Sequence, residues 1–138
     1  MATFNQLLFA LTLFAALGCG LVGGVFFAFS TFVMKALSRL PPGAGLAAMQ
    51  SINVAALNRW FMAAFFGTTG ACVLALVSSL FRWHEPGAVC LFVGSTLYLL
   101  GSLLVTALFN VPRNNSLASI PPNDSEVASR WADYLAAW

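Results

Sequence analysis

Charge is what this chain has least of. Asp, Glu, Lys and Arg make up 7% of its 138 residues, against about 25% in an ordinary soluble domain. So few charges cannot cover a folded surface of this size, so the solvent around most of the chain has to be lipid. Residues 7–34, 60–81 and 88–110 contain no Asp, Glu, Lys, Arg or His at all. Proton relays and ion-coupled transport are left without the intramembrane groups they need. The net charge of +2 comes without any basic run, which excludes nucleic acid as a partner.

Other absences narrow the chemistry. Cys19, Cys72 and Cys90 each sit inside an apolar run, with no CxxC pair and only His84 as a further candidate ligand. That pattern argues against a metal site and against a disulfide framework. It reads the three thiols as small buried hydrophobes. No P-loop, dinucleotide fingerprint or Ser-His-Asp set is present, so neither a metal nor a cofactor is expected. The start, "MATFNQLL", has no Lys or Arg, and the apolar run behind it outlasts a signal h-region. It is expected to stay on as a helix.

What the sequence does have is long apolar runs. Hydrophobic residues are 60% of the chain, and roughly 20 of them in a row span a bilayer as a helix. The expected fold is an all-α integral membrane protein, a single domain over residues 1–138. Its spans are placed at about 7–34, 60–81 and 88–110, with short amphipathic helices besides. The first run is overlong and should tilt or project.

Basic residues orient the spans. Lys35, Arg39, Arg59, Arg113 and Arg130 flank one side and Arg82 the other. The N-terminus is therefore expected outside, with the 35–59 loop and the C-terminal tail in the cytoplasm. "FRWHEPG" then reads as an external interfacial turn, and the sequons at Asn114 and Asn123 fall on the side where no glycosylation occurs.

Two amphipathic helices complete the pattern. After the breaker "RLPPGAG", Leu46, Met49, Ile52 and Ala56 recur at helical spacing, with Gln50, Asn53 and Leu57 on a neighbouring face. This predicts an interfacial helix over about 44–57. In the tail, Asn123 and Glu126 have capping-box spacing ahead of a helix over about 124–138. Val127, Trp131, Tyr134, Leu135 and Trp138 fall on one of its faces, the mark of an interfacial helix or of the start of another span.

Polar groups inside apolar runs carry the functional signal. Ser95, Tyr98, Ser102, Thr106 and Asn110 repeat every three or four residues along one face of the third span. Hydroxyls of this kind often bond back to their own helix. Together with Gly20 and Gly24 in GxxxG spacing they also let helices pack closely, at about 0.6 kcal/mol per interhelical bond. Tyr98 asks for more, since a buried phenol needs a partner for its hydroxyl. At the end of the seam, Pro112 should push Val111 out of helical geometry and stop the helix near Asn110. Asn114 or Asn115 could then cap a short helix that follows. The predicted orientation gathers Ser30, Thr31, Gln50, Asn53, Asn58, Asn110, Asn114 and Asn115 at the cytoplasmic ends. A ring of neutral hydrogen-bonding groups over a Phe-rich interior suits a flat aromatic ligand, and plain lipid contact equally well.

The segments "GGVFFAFSTFVMKALSRLPPGAGLAAMQSIN", "LNRWFMAAFFGTTG" and "ALFNVPRNNSLA" resemble the anthrone oxygenase-like family. The resemblance runs over roughly residues 18–138. Its most distinctive parts are Asn110, Val111, Pro112, Asn114, Leu117 and Ala118, and the loop Met49, Gln50, Ile52 and Asn53. The family consists of small, mostly bacterial four-helix membrane proteins. Against it the chain looks like a four-helix bundle cut before its fourth span, "RWADYLAAW" resembling the lead into that helix. The resemblance implies a bacterial inner-membrane protein that oxidises an anthrone to an anthraquinone with dioxygen, without metal or flavin. It makes Gln50, Asn53, Tyr98, Asn110 and Asn114 the candidate substrate-binding residues, and it supplies no visible general base. A second reading remains open: a non-catalytic accessory subunit of a larger membrane complex, or a homo-oligomer, with the GxxxG face, Trp131, Tyr134 and Trp138 as contacts.

Overall fold

The computed structural model describes residues 2–121 and 125–138. Among them there is no strand. Three helices are long and apolar enough to cross a membrane: Asn5–Leu37, Arg59–Phe81 and Ala88–Ala118, with mean hydropathies of 2.1, 1.8 and 2.1. Backbone groups in lipid have no water to bond, so uninterrupted helices are what such runs must form. The chain is an all-α integral membrane protein. By contacts it divides into two compact units. Unit 1 comprises Met1–Gly23 and Trp60–Val105, and unit 2 comprises Gly24–Arg59 and Thr106–Trp138.

Unit 1 holds most of α1 (Ala2–Ala28), nearly all of α4 (Arg59–Phe81), α5 (Ala88–Tyr98) and the π-helical stretch Leu99–Leu104. Gly87 opens α5 with φ of 85°, a left-handed conformation that a side chain would strain. The turn before it is tied down by Arg82, which donates to Asn5 Oδ1 at 3.2 Å and pairs with Glu85 at 3.8 Å. Trp83 packs edge-on against Phe92. Most side chains hidden in this unit are small: Ala15, Thr68, Ala71, Cys72, Ala75, Ser79, Ala88 and Ser95, with Val22, Phe65 and Tyr98. Helices meet most closely at Gly18, where a Cβ would collide with the Thr68 hydroxyl. The glycines that the sequence favoured for this role are empty: no atom lies within 4 Å of a Cβ built on Gly20 or Gly24.

Unit 2 is built otherwise. The π-helical turn Phe29–Val33 leads into α2 (Met34–Leu37), and α3 runs from Pro42 to Ala56. Pro42 stands in the first turn of α3, where its missing N–H costs nothing. After the π-helical turn Thr106–Asn110 come α6 (Val111–Ala118) and α7 (Val127–Ala137). These helices enclose one core of Met34, Leu37, Leu46, Met49, Leu117, Ile120, Trp131 and Tyr134. Phe29, Val33, Ile52, Val127, Leu135 and Trp138 pack around it. All five members of the stripe on α7 thus pack in or against a protein core, which was not among the roles its sequence suggested. The capping box and the sequon rest on Asn123, which lies outside the described residues.

The third span does not stop at Asn110. Asn110 is helical, its side chain makes no capping bond, and the chain continues as α6 to Ala118. Asn114 and Asn115 therefore lie inside α6 and cap nothing. Pro112 takes a place in the first turn of α6, where a proline is tolerated. In the π-helical turn before it, carbonyls accept from amides five residues on. The π-helical stretches also turn by more than four residues per turn against 3.6 in the α-helix. Residues spaced by four therefore drift one way in α and the other way in π.

Candidate functional site

Four of the five residues singled out by sequence belong to unit 2, and each meets a different fate there. Gln50, on α3, has its amide nitrogen engaged twice, donating to the Leu117 carbonyl at 2.9 Å and to the Ile120 carbonyl at 3.1 Å. The two carbonyls lie at the end of α6 and just beyond it, where helical amides run out; that of Leu117 also accepts the Ile120 amide at 3.2 Å. Gln50 is a clasp between α3 and the end of α6. Asn110 is half-buried at the start of α6 and caps nothing. Asn114 accepts, through Oδ1, the hydroxyl of Tyr134 at 2.8 Å. Asn53 is half-buried, and its Nδ2 is shielded and has no acceptor among the described residues.

The fifth, Tyr98, belongs to unit 1. It is buried, and its hydroxyl donates to the Phe65 carbonyl at 3.1 Å. The partner a mid-membrane phenol requires is thus a backbone oxygen of α4.

The hub of unit 2 is a residue the sequence treated only as part of an aromatic stripe. Tyr134 lies one turn beyond Trp131 and one turn before Trp138 on α7. Its hydroxyl donates to Asn114 and accepts from Trp138 Nε1 at 2.9 Å, and the Asn53 amide lies beside it. Burial pushes this phenol above the usual tyrosine range, opposed by the Trp138 hydrogen bond, the nearby Asn53 amide and the charge of Arg113. It therefore stays protonated at neutral pH and serves as a donor. The signal that could have found it is that Tyr134 is the one hydroxyl on an otherwise apolar face. Trp131 stacks on it, ring centroids 5.6 Å apart and planes 14° from parallel. The indole is admitted by Gly45, where a Cβ would stand 2.9 Å from the ring. Its Nε1, like Asn53 Nδ2, is buried without an acceptor among the described residues.

Two N–H donors so placed are the chemical content of this unit. Buried donors are almost always paired, and an unpaired one costs about 1–3 kcal/mol. An oxyanion or carbonyl oxygen would satisfy them. The other amides and hydroxyls gathered by the sequence are partly used up: Asn58 donates to the Ala55 carbonyl, and Thr31 to the Phe27 carbonyl at 2.6 Å. No group of three or more His, Cys, Asp or Glu side chains clusters among the described residues.

Unit 1 offers an open groove lined by Leu8, Phe9, Thr12, Arg82, Cys90 and Leu91. Its one cation is already held by Asn5 and Glu85.

Residues 57–138, more than half of the chain, match the family model of the anthrone oxygenases. The chain belongs to the anthrone oxygenase family. The stretch matched to the anthrone oxygenases contains Tyr98, Asn110, Asn114, Trp131, Tyr134 and Trp138, while Gln50 and Asn53 precede it. No curated protein and no solved structure shows a significant match to the chain.

Proposed function

We propose that this member of the anthrone oxygenase family binds a flat, oxygen-bearing aromatic molecule of anthrone or quinone type in unit 2 and oxidises it with dioxygen. The observation that carries the reading is the buried Asn53 amide donor without an acceptor, beside the anchored hydroxyl of Tyr134. An anthrone's ketone acidifies the methylene carbon across its ring, so loss of a proton gives an electron-rich enolate that reacts with dioxygen directly. The methylene loses both hydrogens and gains one oxygen, and the second oxygen leaves as water. Donors aimed at the enolate oxygen in a water-poor setting lower the cost of forming it. Asn53 Nδ2 and Trp131 Nε1 are the groups we assign to that oxygen. Asn114 and Trp138 hold the Tyr134 hydroxyl in place, and Gln50 acts by fixing α3 against α6. Five of the six basic residues fall in this unit, so we place it on the cytoplasmic side.

Oxygen uptake by the purified protein in lipid nanodiscs, with anthrone as substrate, tests the reading. Wild-type turnover should exceed the uncatalysed rate, and Asn53→Leu should lower kcat by about 100-fold, the effect of losing one oxyanion donor. Uptake equal to that of empty nanodiscs, or an Asn53→Leu rate equal to wild type, would overturn it.

A further inference from the structure

Two of the three cysteines meet inside unit 1. Cys19 on α1 and Cys72 on α4 bring their sulfur atoms to 3.7 Å. That is van der Waals contact, with the bonded length of about 2.05 Å still to be reached. The neighbouring residues explain the approach. Gly18 has no side chain, and the Thr68 hydroxyl occupies the place where its Cβ would be, one turn of α4 before Cys72. Ala71 and Ala75, also buried on α4, keep the helix slim at this level. The two thiols differ in access. Cys72 is buried, whereas Cys19 is half-buried and so the more accessible of the two. Cys90 stands exposed and has no thiol beside it.

We infer that Cys19 and Cys72 are an oxidisable thiol pair, a modification site at which a reversible disulfide joins the first span to the second. The oxidant is dioxygen, an apolar molecule that dissolves in the bilayer. Two S–H bonds break and one S–S bond forms. The two electrons and two protons released reduce one dioxygen to hydrogen peroxide. The division of labour is that of redox-sensitive pairs, an accessible sulfur beside a sheltered partner that resolves it. The crosslink would act on a helix pair otherwise held by small-residue contacts, each weak in lipid. It would therefore hold α1 and α4 together through conditions that separate the reduced pair.

The test uses the full chain in nanodiscs, carrying Cys90→Ala so that two thiols remain. Air oxidation with copper-phenanthroline as catalyst is followed by unfolding in SDS and maleimide labelling. Both thiols should be lost to label, in a monomer lighter by two hydrogens, and both should return with a phosphine reductant. Loss should be at least about tenfold faster than loss of the single thiol in Cys72→Ser/Cys90→Ala, whose Cys19 has no partner within the chain. Two labelled thiols after oxidation, loss into crosslinked dimers, or equal rates in the two proteins would each overturn the proposal.

Discussion

In unit 1 the residues hidden from the surroundings are mostly alanine, serine, threonine and cysteine, while Leu7, Phe9, Leu17, Leu74 and Leu97 face outward. In unit 2 the hidden residues are Met34, Leu46, Met49, Leu117, Ile120 and Trp131, the content of a water-soluble core. The same chain therefore packs by two rules. Between helices in lipid, burying a leucine gains nothing, because the acyl chains are as apolar as another leucine. Close contact of small residues is what remains, as Gly18 against Thr68 illustrates. Large side chains drawn together, as in unit 2, are what the hydrophobic effect favours where water is the solvent. Polar groups serve both units in two ways. Some bond back to their own helix, as Thr12 does to Leu8 and Thr69 to Phe65 in unit 1 and Thr31 to Phe27 in unit 2, while Tyr98 in unit 1 reaches the Phe65 carbonyl. Unit 2 amides reach across the fold, as Gln50 does to a carbonyl 67 residues away.

This difference can be broken at named places, and unfolding in detergent–SDS mixtures, followed by circular dichroism, reads each effect. Trp131→Ala should cost the most, about 3–5 kcal/mol, as expected for a large aromatic removed from a core. A loss under 1 kcal/mol would mean that unit 2 has no water-type core. Next come its polar ties. Gln50→Leu strands the Ile120 carbonyl and leaves the Leu117 carbonyl only the Ile120 amide, and Tyr134→Phe strands Asn114 and Trp138, at about 1–3 kcal/mol each. Tyr134 adds a pH signature. Its folded form holds the phenolic proton more tightly than the unfolded chain, whose tyrosine ionises near pH 10. That contribution is complete below about pH 10 and disappears as pH climbs through the higher folded value. Stability should therefore fall above pH 10 in the wild type, and less steeply in Tyr134→Phe.

The smallest effects belong to unit 1 and sharpen its rule. Gly18→Ala forces a methyl against Thr68 and should cost about 1–3 kcal/mol. Gly20→Ala meets nothing within 4 Å and should be neutral or up to about 1 kcal/mol stabilising through helix propensity. If the two alanines behave alike, close packing at Gly18 does not hold the helices of unit 1.

Much of the fold was legible because lipid leaves few choices. Residues such as Leu91, Phe92 and Val93 in an uncharged run of span length can only be helix. The face of α7 was legible too, since Val127, Trp131, Tyr134 and Trp138 repeat at helical spacing. The continuation past Pro112 was not, because a proline that ends a helix and one that stands in a helix's first turn look alike in sequence. Nor could GxxxG spacing name the glycine in contact, since any helix offers several small faces and only a partner selects one. The candidate site was legible by residue type and hidden in its wiring. Gln50 and Asn53 looked alike three residues apart, yet one is consumed by α6 and the other keeps a free donor.

By itself the sequence determined that the chain is helical, sits in a membrane, carries its positive charge asymmetrically and resembles the anthrone oxygenases. These are sums over local composition, and local composition is all they need. Only the tertiary structure decided that the tail's aromatic stripe packs into a core, that Tyr134 holds Asn114 and Trp138, and that Cys19 touches Cys72. Each of those joins residues at least a helical turn apart, and most join different helices. Which amide remains free is settled by which carbonyl another amide has already reached.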